Sequence, residues 1–168
     1  MLPNTSTNDS GVHHEIELGL VIGARGKDLS EEQAMSIVCG YILALDLTER
    51  GLQQDAKQEG KPWSMCKGFD TFCPISDSIV ENVPPNARLW CKVNGETRQD
   101  GNIVDMIFPI PRLISYISSV MTLEENDVIL TGTPTGVGQI TPGDVIEGGL
   151  DDILHLKFDV VAKESNTN

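Results

Sequence analysis

No apolar run in this 168-residue sequence is long enough to cross a bilayer; the longest, Tyr41 to Leu47, is interrupted by Asp46. Cys39, Cys66, Cys73 and Cys91 form no CxxC pair, and no His-x-His spacing accompanies them. That pattern argues against a tetrahedral zinc site and a disulfide framework, and leaves reduced intracellular thiols. Basic residues are scarce, 12 against 25 acidic ones, for a net charge of −13 with no local Lys/Arg cluster. Such a field repels phosphate backbones and anionic lipid, so neither nucleic acid nor a membrane is an expected partner. The opening MLPNTSTNDSG has neither the apolar core of a signal peptide nor the arginines of a transit peptide. Internal repeats and low-complexity blocks are absent as well.

What is present is ordinary for one globular domain, 39% apolar and 22% charged residues. Residues 1–11 read as a disordered tail, 12–162 as the domain, and 163–168 as a polar tail. From His13 to Ile22 the residues alternate. Ile16, Leu18, Leu20 and Ile22 share one face, and His13, Glu15, Glu17, Gly19 and Val21 share the other, as in a strand. Ser30 with Gln33 fits a capping box for a short helix to about Val38. Tyr41 to Leu47 reads as a buried strand, and Thr48 as the cap of a helix through Ala56 that ends near Gly60. Trp63 to Ile75 is loop-like but too aromatic for a solvated linker. Asn94-Gly95 between Leu89–Val93 and Thr97–Gln99 predicts a hairpin, since both central residues tolerate positive φ. Pro111 opens a helix carrying Leu113, Ile114, Ile117 and Val120, and Val128–Leu130, Val145-Ile146 and Leu154–Val161 close the domain as strands. The sum is an α+β, mainly β domain.

Glu15 and Glu17 lie on one strand face with Cα atoms about 7 Å apart, and burial would raise the pKa of one unless a cation held both ionised. A hard divalent ion suits such carboxylates. For that pair alone, a solvent-facing strand is the simpler reading. Asp46 shifts the balance, because it interrupts an apolar strand where an ionised group needs a partner, although it also stands where a helix cap would. Lys67, among Trp63, Phe69 and Phe72, is either a snorkelling lysine or a cation directed at a developing oxyanion. Arg50 and Gln53 follow Asp46 closely, and Arg suits a carboxylate ligand, though isolated residues of this kind usually lie on a helix surface. The stretch Thr131 to Gly138 offers backbone N–H groups and threonine hydroxyls to an anion, but no Gly-Lys-Ser/Thr follows, which disfavours a nucleotide. His13 shares the parity of the two glutamates, His14 faces the other side, and His155 reads as structural.

In order along the chain stand His-His-Glu-Ile-Glu-Leu-Gly (13–19), Leu-Asp-Leu-Thr (45–48), Lys-Gly-Phe-Asp (67–70), Val-Asn-Gly-Glu (93–96) and Leu-Thr-Gly-Thr-Pro-Thr-Gly-Val-Gly (130–138). Together they resemble the fumarylacetoacetate hydrolase family over most of the chain. The resemblance implies a mixed, twisted β-roll, usually a homodimer, with Mg²⁺ or Mn²⁺ held by Glu15, Glu17 and Asp46. It implies Lys67 as the active-site lysine, and Arg50, Gln53 and Thr133 as substrate-binding residues. The implied chemistry is cleavage of small 2-oxo acids, by acylpyruvate hydrolysis and oxaloacetate decarboxylation. A mitochondrial address is implied too, with the cytosol as the alternative. The family's N-terminal strand and its lid with a His–Glu dyad have no match here. The chain therefore reads as N-terminally shortened, with hydrolysis more affected than decarboxylation and a sheet edge left open to association. The rival reading is a shortened product that binds metal or a full-length partner without turnover.

Overall fold

The alternation that begins at His13 builds two strands. β1 (Val12–His14) and β2 (Ile16–Ile22) are separated by Glu15, whose carbonyl accepts the Asp46 N–H at 2.9 Å. In the computed structural model, which describes residues 11–162, this break sends the two strands into different sheets. β1 runs between β4 (Thr48–Glu49) and β8 (Gly138–Ile140). β2 runs between β3 (Val38–Leu45) and β7 (Val128–Leu130). A third sheet orders β10 (Leu154–Asp159), β9 (Val145–Leu150), β5 (Arg88–Val93) and β6 (Glu96–Asn102). The domain is α+β and mainly β, as expected. The ladders between these described strands are antiparallel.

The larger core lies where β2 and β3 meet the four-stranded sheet, around Ile16, Leu18, Leu43, Leu45, Leu89 and Leu150. Halfway along β2 the same face changes partners. Leu20 and Ile22 pack instead with Ala34 of α1 (Glu31–Ala34) and Ile114 of α4 (Ile110–Val120). Every residue of β2 is buried, on both faces. That removes the solvent-facing reading for Glu17, which is 5% exposed.

The turns follow local rules. Ser30 N–H donates to Gln33 Oε1 at 3.1 Å, closing the predicted capping box. Asn94 and Gly95 take φ of 53° and 80° and close the β5–β6 hairpin. Gly60 caps α2 (Arg50–Glu59) in the left-handed region. Other expectations shift. The predicted helix cap at Thr48 is a strand residue of β4, and Glu49 caps α2 instead, accepting from Gly51 N at 3.3 Å and Leu52 N at 2.5 Å. Trp63 to Ile75 contains α3 (Ser64–Lys67), a single turn too short for periodicity to reveal. Pro111 occupies the second position of α4, after Ile110, and Val120 of the expected apolar stripe is exposed while Ser118 is buried. β8 has no apolar run to announce it. The expected tails, apart from Gly11, lie outside the described residues; Gly11 itself accepts the Arg50 N–H at 3.0 Å.

Phe72 shows why the aromatic segment is ordered. Its side chain is fully buried, its ring lies 4.8 Å from that of Phe69, and its carbonyl accepts the Leu47 N–H just past Asp46. Phe72→Ala is expected to lower unfolding stability by about 3–4 kcal/mol through transfer and cavity costs, read as a lower urea midpoint at unchanged slope.

Candidate metal centre

The β2–β3 ladder pairs Ile16 with Leu45 and Glu17 with Ala44, so the end of β3 delivers Asp46 beside Glu15. One carboxylate oxygen from each of Glu15, Glu17 and Asp46 lies within 4.8 Å of the other two. The convergence is a product of strand register. Shifting it by one residue would turn Glu17 to the opposite face.

Cations surround two of the three acids. Arg50, at the start of α2, donates from Nη2 to Glu15 Oε1 at 2.5 Å and from Nη1 to Gln53 Oε1 at 2.9 Å. Lys67, at the end of α3, contacts Asp46 Oδ2, Glu15 Oε2 at 3.2 Å and Thr48 Oγ1 at 3.0 Å. Burial works against the Lys67 ammonium, but the contacts with Asp46 and Glu15 outweigh it and raise its pKa. Glu17 forms no ion pair among the described residues and accepts one N–H, from Gly132 at 2.6 Å. Its burial, reinforced by the charges of Asp46 and Glu15 and opposed by that N–H and by Lys67, pushes its pKa up to about 7.

Three acids therefore face two cations, which leaves one negative charge in excess when all three acids are ionised, among side chains that are a quarter exposed or less. Hard carboxylate oxygens without imidazole or thiolate match Mg²⁺ or Mn²⁺. At Mg–O distances of about 2.1 Å, ligand oxygens stand at most about 4.2 Å apart. At least two of the three pairs must be adjacent in an octahedron, about 3.0 Å apart, so oxygens within 4.8 Å of one another need at most roughly 2 Å of closure, within reach of side-chain rotation, and the donor set fits the ion.

Of the predicted site residues, Glu15, Glu17, Asp46, Lys67, Arg50 and Gln53 converge. Thr133 is held nearby but engaged within the protein. Its hydroxyl donates to Ile16 O at 2.7 Å and accepts from Gln99 Nε2 at 2.7 Å. Thr131 likewise donates to Leu18 O at 2.9 Å, so the glycine-rich loop is stitched along β2. A pocket of about 310 Å³, lined by Leu89, Met106, Phe108 and Leu113, abuts the same loop at Thr131 to Pro134 without touching the carboxylates. His14, not His13, is the buried histidine at the strand break, hydrogen-bonded through Nδ1 to Gln99 at 2.9 Å. Burial lowers its pKa, opposed by the hydrogen bond to Gln99. His155 is exposed, its ring centroid 6.0 Å from that of Trp90. Gln99 escaped the sequence reading. Its one signal is its position in the hairpin, where Cys91 pairs with Gln99 and Lys92 with Thr97, so a bulge at Arg98 turns Gln99 inward.

The raised Glu17 pKa has a direct consequence without metal. Between pH 4.5 and about 7 the folded chain holds a proton that the unfolded chain has lost, so this contribution to stability is full below 4.5 and gone above 7. In EDTA, wild type minus Glu17→Gln is expected to lose on the order of 3 kcal/mol of unfolding free energy across that window. Urea unfolding at a series of pH values measures it, and a difference independent of pH contradicts it.

The chain matches the family model "Fumarylacetoacetate (FAA) hydrolase C-terminal" over residues 2–161. It is 49% identical over 161 residues to the mitochondrial oxaloacetate decarboxylase of Dictyostelium discoideum, covering 94% of this chain and 74% of that protein. It is 49% identical over 156 residues to the mitochondrial oxaloacetate tautomerase FAHD1 of Mus musculus, covering 91% and 71%. The fold superimposes on fumarylpyruvate hydrolase from Pseudomonas aeruginosa in complex with Mn²⁺ and pyruvate with a TM-score of 0.88 at 34% identity, covering 95% of this chain and 70% of that one. Matched by the family model over residues 2–161 and 49% identical to a relative across 94% of its length, this chain belongs to the fumarylacetoacetate hydrolase family.

Proposed function

We propose that the chain is a Mg²⁺- or Mn²⁺-dependent enzyme of small 2-oxo acids that decarboxylates oxaloacetate and cleaves acylpyruvates. The observation that supports it is the convergence of Glu15, Glu17 and Asp46 within 4.8 Å beside Lys67 and Arg50. When bound, the ion supplies a Lewis acid for the substrate's carboxylate and keto oxygens. Glu15, Glu17 and Asp46 would hold it. Arg50 uses two of its five N–H donors on Glu15 and Gln53 and keeps the rest for a substrate carboxylate. Gln53, buried beside it, fixes the guanidinium plane. Lys67 sets its ammonium where breaking the C–C bond leaves enolate charge, favouring that state over the ground state. In decarboxylation the electron pair of the broken bond stays on the enolate, carbon dioxide leaves, and the carbon is then protonated. The Thr133 segment borders the substrate.

A second reading, keto–enol interconversion of oxaloacetate, is favoured by the name of the mouse relative and draws on the same enolate stabilisation. The names of the relatives place them in mitochondria, and we carry that address to this chain with the cytosol as alternative. We also carry over a homodimer, for which exposed Val104, Ile107 and Phe108 supply apolar surface.

Oxaloacetate and acetylpyruvate assays with Mg²⁺ or Mn²⁺, following carbon dioxide, pyruvate and enol absorbance separately, distinguish the activities. Glu17→Ala is expected to cut kcat/KM at least 100-fold and to abolish the rise in melting temperature produced by the ion. Lys67→Met should lower kcat by about 100-fold yet hold or raise Mn²⁺ affinity, because it removes a competing cation from Asp46 and Glu15. Turnover untouched by Glu17→Ala sinks the metal-centred reading. Ion binding without any turnover favours a metal-binding role without catalysis.

A further inference from the structure

Gln99 is fully buried, and each half of its amide makes two hydrogen bonds. Oε1 accepts the Ile16 N–H at 3.1 Å and the His14 Nδ1–H at 2.9 Å. Nε2 donates to Thr133 Oγ1 at 2.7 Å and Pro134 O at 2.8 Å. The Ile16 N–H can only donate, which fixes the amide orientation and places the His14 hydrogen on Nδ1. One side chain thus joins the two residues flanking Glu15 to the loop that follows Gly132.

Backbone packing independently makes β6 the floor of that loop. A Cβ on Gly136, whose φ is +100°, would sit 1.9 Å from Arg98 O, and one on Gly101 would sit 2.7 Å from Pro134 Cβ. The loop therefore lies directly on Arg98–Gly101, and the Arg98 bulge turns Gln99 up between loop and strand. With Nε2 donating to Thr133 Oγ1, the Thr133 hydroxyl is left as a donor and directs its hydrogen to Ile16 O at 2.7 Å, which ties the loop to the strand break.

We propose that Gln99 is a positioning residue for 2-oxo acid binding: it orients Thr133 and clamps the Gly132–Pro134 loop against the strand break that carries Glu15. Its effect on ligands rests on the function proposed above; its effect on the loop does not. Two variants divide its bonds. Gln99→Glu keeps both acceptor contacts and loses both donors to the loop, and Gln99→Met is neutral, near-isosteric and loses all four.

Amide hydrogen exchange on the metal-free chain reads the loop alone. Both variants are expected to speed exchange at residues 131–137 at least 10-fold while the middle of β2 stays protected. Where Gln99→Met fails to fold, Gln99→Glu carries the test, and Thr133→Val, which removes the Gln99 contact together with the Thr133 bond to Ile16 O, should speed the same residues at least as much. Ligand binding then reads the role: pyruvate affinity in the presence of Mn²⁺ should fall about 10-fold with affinity for Mn²⁺ alone within threefold. In a Thr133→Ala background the Gln99 substitution should add less than twofold, since residues acting through one another are not additive. Unchanged loop exchange in the folded variants, or a full 10-fold loss that persists without the Thr133 hydroxyl, overturns the proposal. Wild type that binds Mn²⁺ but no pyruvate contradicts the proposed function instead, and the exchange result still decides the role of Gln99.

Discussion

Three carboxylates held within 4.8 Å of one another are the constraint to which the surrounding structure answers. At an effective dielectric of about 20, each ionised pair at that separation repels by about 3 kcal/mol, comparable to a sizeable share of a domain's net stability. The fold meets this with Lys67 and Arg50 on two of the acids and a backbone N–H on the third. What is left over falls on Glu17, whose pKa rises accordingly. A divalent ion reverses the sign of the imbalance, which is why a geometry that sets three acids against one another favours a cation.

The scaffolding explains why these acids cannot simply move apart. Glu15 sits where one strand ends and the next begins, Glu17 lies on a strand buried on both faces, and Asp46 follows a strand that pairs with it. Phe72 closes the segment behind Asp46, and α3 brings Lys67 across. The glycine-rich loop completes the arrangement from the opposite side, with its Gly132 N–H on Glu17 and its threonines on β2. Register, more than any single bond, keeps the charges together.

Much of this was legible in the residues. Alternation exposed β2, Asn94-Gly95 exposed the hairpin, and an aspartate inside an apolar run pointed to a buried partner. The five motifs in order pointed to the family and thereby to the acids, Lys67 and Arg50. What escaped has physical reasons. β4, β8 and α3 are too short for any period to register; β4 and β8 exist because β1 pairs with both, and α3 is a single turn. Glu49 as a helix cap depended on the β1–β4 pairing that ends the strand there. Gln99 was hidden by a bulge, since a one-residue insertion changes which side chain faces inward without altering composition. The position of Thr133 near the acids was legible but its hydrogen bonds were not, because one of its partners lies 34 residues away.

The most direct test is a crystal of this chain grown with Mn²⁺ and measured for anomalous scattering. The expected result is one strong peak bonded, at roughly 2.1 Å, to an oxygen from each of Glu15, Glu17 and Asp46. A peak bound elsewhere, or well-ordered carboxylates that hold only Lys67 and Arg50 at saturating Mn²⁺, would contradict it.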